Sequence, residues 1–167
     1  AKMEFEKTAA TNPDAAYWLI ETLLQLGQTD EAKKTAIRSI EKFTNNPLLL
    51  VALGHSTLYI GNTVEAKVYF DRAVSIVTAS NKASVLKAIG RAHANVPLKY
   101  SRPDYAIGKL KEALILEPSA ASIYIGIGDC NRKKLDGGAA LEAYLKAMSM
   151  DKSLTAEANY KIGKIYA

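Results

Sequence analysis

The chain runs to 167 residues, 49% hydrophobic and 23% charged, the composition of an ordinary globular domain, and its apolar runs are too short and interrupted for a helix to cross a bilayer. A single cysteine, Cys130, excludes an internal disulfide framework, and two histidines with one cysteine at no ligand spacing argue against a structural metal site. The net charge of +5 is uneven: residues 1–80 hold 8 Lys/Arg against 9 Asp/Glu (−1) and residues 81–167 hold 14 against 8 (+6), which fits an acidic partner near the second half or, more ordinarily, a solvated basic face.

In chain order, Ala1-x-x-x-Phe5 followed by Pro13 reads as the second helix of a hairpin, over 1–12. Residues 13–46 form a first unit, with the apolar stripe Ala16-x-x-Leu19-Ile20-x-x-Leu23, then Gly27 to Ala32 as a helix stop, short turn and second helix start, then Ala32-x-x-x-Ala36. Residues 47–80 repeat the arrangement as Leu50-x-x-Leu53-Gly54-x-x-Thr57 and Ala66-x-x-x-Phe70; Pro13 and Pro47, Gly27 and Gly61, and Ala32 and Ala66 each lie 34 residues apart. Asn12-Pro13, Asn46-Pro47 and Glu117-Pro118 punctuate the units, because proline forces the residue before it out of the helical region.

The third unit, 81–118, carries Leu86-x-x-Ile89-Gly90-x-x-His93 and Ala106-x-x-x-Leu110, but Ala66 to Ala106 is 40 residues, so extra residues are expected near 78–82 and in 95–103 around Pro97 and Pro103. The fourth, 119–153, carries Tyr124-x-x-Ile127-Gly128-x-x-Asn131 and, 34 after Ala106, Ala140-x-x-x-Tyr144, with Asp136-Gly137-Gly138 read as the turn between its helices. Residues 154–167, with Asn159-x-x-Ile162-Gly163-x-x-Tyr166, read as the first helix of a further unit. Mid-helix glycine costs about 0.5–1 kcal/mol relative to alanine. Gly54, Gly90, Gly128 and Gly163 at matching positions therefore imply a partner helix that approaches closely. Neither end shows a polar cap, so the chain reads as one continuous domain cut from a longer protein.

These residues resemble the tetratricopeptide repeat, a helix-turn-helix unit with the signature W-x-x-L-G-x-x-Y, then A-x-x-x-F, then P. The resemblance covers nearly the whole chain, with departures: Trp18 lies beside the tryptophan slot, and the tyrosine slot holds Leu23, Thr57, His93, Asn131 and Tyr166. It implies an all-α fold, a right-handed α-solenoid of antiparallel helix hairpins, and a binding scaffold rather than an enzyme, with no cofactor. The first helix of each hairpin would line a groove for a protein or peptide ligand. The groove stripe would hold Tyr17 and Glu21, then His55 and Tyr59, then Lys87, Arg91 and Asn95, then Asp129, Arg132 and Lys133, and last Tyr160 and Lys164. Lys87 and Arg91 suit a carboxylate, although a merely solvated face is equally compatible with them. The lysine–asparagine–arginine carboxylate clamp of some relatives is not matched: the corresponding places hold Tyr17 and Glu21, Ala52, and Ser84 and Ala88.

Catalytic signals are poor. His93, in the aromatic slot, reads as a packed core histidine; His55 and Ser56 diverge as helix neighbours; Gly126-x-Gly128 lies within a helix and follows no strand. Cys130 reads as a small apolar residue. Two other readings compete with peptide recognition. Nucleic-acid or anionic-surface binding is disfavoured because the basic residues are scattered and lack interleaved aromatic platforms. Self-association through uncapped ends remains open.

Overall fold

The computed structural model describes residues 6–166; the Ala1-x-x-x-Phe5 motif lies outside them. The described residues are helical with no strand: α1 Pro13–Gln25, α2 Thr29–Lys42, α3 Pro47–Tyr59, α4 Thr63–Ser75, α5 Lys82–Asn95, α6 Pro103–Leu116, α7 Ala121–Lys133, α8 Gly137–Met150 and α9 Thr155–Gly163. Short 3-10 turns cover Leu98–Tyr100 and Lys152–Leu154. No helix among the described residues is long and apolar enough to cross a membrane. The chain divides into two compact units, residues 1–85 and 86–167.

In the first unit, side chains start α1, α3 and α4. Asn12 accepts hydrogen bonds from the backbone N–H groups of Asp14 (2.8 Å) and Ala15 (3.1 Å), with Pro13 in the first turn, where its missing N–H costs nothing. Asn46 does the same for Leu49 ahead of Pro47. Asn62 caps α4 through Glu65, whose carboxylate in turn accepts from the Asn62 amide. α1 packs on α2 and on α3, and α3 packs on α4. α3 is apolar on all sides and buried from Leu49 to Leu58, as expected of a helix enclosed by neighbours. At its middle, a Cβ on Gly54 would stand 2.6 Å from Cε1 of Phe70, so the absent side chain is what lets the α4 ring seat against the α3 backbone.

The second unit uses the same device twice. A Cβ on Gly90 would lie 2.6 Å from Leu110, and one on Gly128 would lie 2.4 Å from Tyr144. Tyr144 is the centre of an apolar cluster with Ile125, Ala140, Ala147 and Ala158. Gly163 differs from the other three: nothing among the described residues comes within 4 Å of its Cβ position. The expected close approach is therefore absent there.

The segment after α5 is fastened to that helix by His93. This histidine is buried, its Nδ1 accepts from the Arg102 N–H (3.1 Å), its carbonyl accepts from the Ser101 hydroxyl (2.8 Å), and its ring meets Tyr105 edge-on at 5.5 Å. The core reading of His93 is correct, and its polar edge also holds a loop.

The turns after α1 and α3 place Gly27 and Gly61 at φ 72° and 89°, in the left-handed region. After α7 the matching conformation falls on Leu135, at φ 64°. The turn thus sits ahead of the expected Asp136-Gly137-Gly138: Asp136 caps α8 through the Ala139 N–H, and both glycines lie in its first turn. Leu135 is 85% exposed and packs little. A left-handed conformation costs a non-glycine residue about 1–2 kcal/mol, partly offset by glycine's greater chain entropy. Leu135→Gly should therefore raise stability by about 1 kcal/mol in urea unfolding followed by circular dichroism; an unchanged or lower midpoint would rule out strain at this turn.

Candidate functional site

The sequence-expected stripe divides by burial. Tyr17, Glu21 and His55 are 3%, 4% and 2% exposed, and Val51 and Leu58, on the same α3 stripe, are buried as well. These positions are corrected from groove surface to core, because α1 and α3 pack directly on each other and close the face between them. His55 Nδ1 donates to Glu21 Oε1 at 2.8 Å, and its ring lies 5.6 Å from that of the half-buried Tyr59. The pair is a polar contact inside the first unit, offering little to a ligand.

In the second unit, one side of α5, α7 and α9 encloses a cleft of about 340 Å³. Lys87, Arg91 and Asn95 of α5 line it, as their i, i+4, i+8 spacing implies. From α7 come Ser122, Gly126 and Asp129, and from α9 come Glu157 and Lys161. Asp129 is the anchor of the inner end: it accepts from the Tyr144 hydroxyl at 2.8 Å and from Lys161 Nζ at 2.7 and 2.9 Å. Burial, and then the Asp129 charge, raise the Tyr144 phenol well above its ordinary range, so it stays a donor. At the outer end Lys87 Nζ meets Glu117 at 2.7 Å, both side chains being partly exposed. The cleft therefore has a fixed, half-buried ionic end and a solvated cationic end formed by Lys87 and the exposed Arg91.

Four other expected residues fall elsewhere. Lys133 is half-buried with its ammonium on the Val96 carbonyl, and burial, then the neighbouring Arg132 charge, hold it below the usual lysine range. It ties α7 to the end of α5. Arg132 is half-buried beside Tyr144 rather than in the cleft. Tyr160 is 65% exposed with Lys164 4.5 Å over its ring, and both lie off the cleft.

Ser122, Gly126, Glu157 and Lys161 were not anticipated, though a sequence signal existed. Lys87, Ser122 and Glu157 are spaced by 35 residues, as are Arg91, Gly126 and Lys161, so a 35-residue step carries the α5 stripe onto α7 and α9.

Cys130 of α7 is fully buried, and burial followed by the Asp129 charge pushes its thiol up to about 12. It packs as an apolar group, as expected, and its thiol is not a nucleophile at neutral pH. Among the described residues, no group of three or more His, Cys, Asp or Glu side chains is placed to hold a metal ion.

No family model matches the chain, and no curated protein matches it. Solved structures do. TTC0263, a thermophilic tetratricopeptide-repeat protein of Thermus thermophilus, is 21% identical, with a TM-score of 0.69 over 96% of this chain and 88% of that one. Cut9, in the Cut9–Hcn1 hetero-tetramer of APC/C, is 20% identical with a TM-score of 0.62, over 92% of this chain and 29% of that one. YrrB, a tetratricopeptide-repeat protein with an unusual peptide-binding site, is 18% identical with a TM-score of 0.50, over 99% of this chain and 84% of that one. The protein has the all-α helix-hairpin fold of the tetratricopeptide-repeat proteins, an α-solenoid class. This agrees with the resemblance carried by its repeated Leu/Ile-Gly and Ala-x-x-x-large motifs.

Proposed function

We propose that this chain is a protein-interaction scaffold that takes an extended peptide segment bearing a carboxylate in the α5–α7–α9 cleft. The observation that carries the reading is the unequal bonding of the cleft's cations. Lys161 is committed to Asp129 in a partly buried network, whereas Lys87 stands at the solvated end, where its partly exposed pair with Glu117 is worth only about 0–1 kcal/mol and exchanges readily for a ligand carboxylate. Asn95 and Ser122 supply amide and hydroxyl groups to the backbone of an extended chain, and Gly126 leaves room for it. Because the walls are helices already fixed by packing, binding avoids much of the ordering cost. The peptide-binding site described for YrrB lends support by likeness of fold alone.

Selection from a random displayed-peptide library against the protein, followed by fluorescence anisotropy on the enriched sequences, tests this reading. Enriched peptides should carry Asp, Glu or a free C-terminus, and Lys87→Glu/Arg91→Glu should weaken them by about 10- to 100-fold with helicity unchanged by circular dichroism. Carboxylate-free peptides that bind both proteins equally would refute it.

A further inference from the structure

A second, larger groove of about 1090 Å³ lies in the second unit, on other faces of the helices. Its floor is apolar: Ile127 is buried, Ile107, Leu114 and Tyr124 are half-buried, and Leu145 is 50% exposed at the lip. α6 and α8 form the two walls and α7 the base. Over that floor stand Lys111 of α6 and Lys146 of α8, both exposed, neither with a carboxylate partner among the described residues. A third lysine, Lys134, is already taken by Asp104 at 2.5 Å. The only other carboxylate on the lining, among the described residues, is Glu142.

From this arrangement we infer that the groove docks an acidic amphipathic α-helix of a partner protein, laid between α6 and α8. The choice of a helix follows from the walls. Both are helices whose backbone N–H and C=O groups are spent within themselves, and the neutral hydrogen-bonding side chains on the lining are those of Tyr124, Asn131 and Ser149. An extended segment there would lose water from most of its backbone groups and regain few hydrogen bonds in return. A helix satisfies its own backbone and needs only an apolar stripe to place on Ile107, Leu114, Tyr124 and Leu145. The charge of the flanks follows from the rim: Lys111 and Lys146 stand on opposite walls, so carboxylates on both edges of the stripe meet a cation each. This site shares no side chain with the α5–α7–α9 cleft and does not depend on that reading.

Two synthetic helices with end-blocked termini and the same leucine stripe, one flanked by Glu and one by Lys, provide the test by fluorescence anisotropy on the full chain. The Glu-flanked helix should bind about tenfold or more tightly than the Lys-flanked one and gain helicity by circular dichroism on binding. Lys111→Glu/Lys146→Glu should reverse that preference. Leu145→Asp should weaken the Glu-flanked helix by about tenfold or more through the lost apolar contact and the added repulsion, and Arg91→Glu should leave it unchanged. Equal binding of the two helices, or indifference to the lysine reversal, would overturn the inference. So would loss of binding on Arg91→Glu, which would move the ligand to the cleft. Lysine-dependent binding to vesicles of anionic phospholipid, with no binding of the Glu-flanked helix, would also sink it by making the rim a membrane contact.

Discussion

Truncating Phe70 to alanine is expected to lower the stability of the first unit by about 3–5 kcal/mol, the usual cost of emptying a buried aromatic site. The ring is 1% exposed and seats against the α3 backbone at Gly54. The informative measurement is the pair of substitutions. Gly54→Ala gains about 1 kcal/mol of helix propensity, yet its methyl would sit 2.6 Å from Cε1 and 2.8 Å from Cδ1 of a ring with nowhere to go. Overpacking of that kind costs about 1–3 kcal/mol, so the single variant should come out destabilised. In the Phe70→Ala background the obstruction is gone, and the same Gly54→Ala change should become stabilising by up to about 1 kcal/mol. Trp18, the single tryptophan of the chain, lies in this unit and reports its unfolding by fluorescence. If Gly54→Ala is neutral or stabilising in the wild-type background, close helix approach is not the reason for the glycine.

The same logic shows what the sequence could disclose. Gly54, Gly90 and Gly128 were readable because a costly residue recurring at one helical position demands a packing reason, and each indeed meets a large side chain of the following helix. Gly163 carries the identical signature and meets nothing among the described residues: glycine encodes room, and sequence alone does not say whether the room is filled. Leu135 marks the opposite failure. A turn that uses glycine at Gly27 and Gly61 is held here by a strained leucine, so the nearby Gly137-Gly138 drew the assignment downstream. The stripe that lines the cleft was legible on α5, whose polar and apolar residues alternate with helical period. The face toward solvent was illegible on α3, whose only polar residues, His55, Ser56 and Thr57, are consecutive and so mark no single face; all three are buried. On α9 the expected stripe ran through Tyr160 and Lys164, 35 residues after Ile125 and Asp129, whereas the helix presents Glu157 and Lys161, 35 residues after Ser122 and Gly126.

His55→Leu should cost about 3–5 kcal/mol, because it strips the Glu21 carboxylate of its hydrogen-bond partner in a site where it is 4% exposed. A solvent-exposed His–Glu contact would change stability by less than about 1 kcal/mol, so the size of the loss, read from Trp18 fluorescence in urea, separates core from surface. The double variant Glu21→Met/His55→Leu should recover most of that loss, since the buried charge and its partner leave together and methionine fills the volume. There is a reason to expect recovery to near the wild-type level. With Nδ1–H donated to Glu21, His55 Nε2 is buried and has no hydrogen-bond partner among the described residues, and an unmade bond of that kind costs about 1–3 kcal/mol. The wild-type pair therefore carries an uncompensated polar atom that the apolar double variant lacks. Were the two single losses instead simply additive in the double variant, Glu21 and His55 would be energetically independent, and the 34-residue spacing that brings them face to face across α1 and α3 would be a consequence of the repeat with no energetic role of its own.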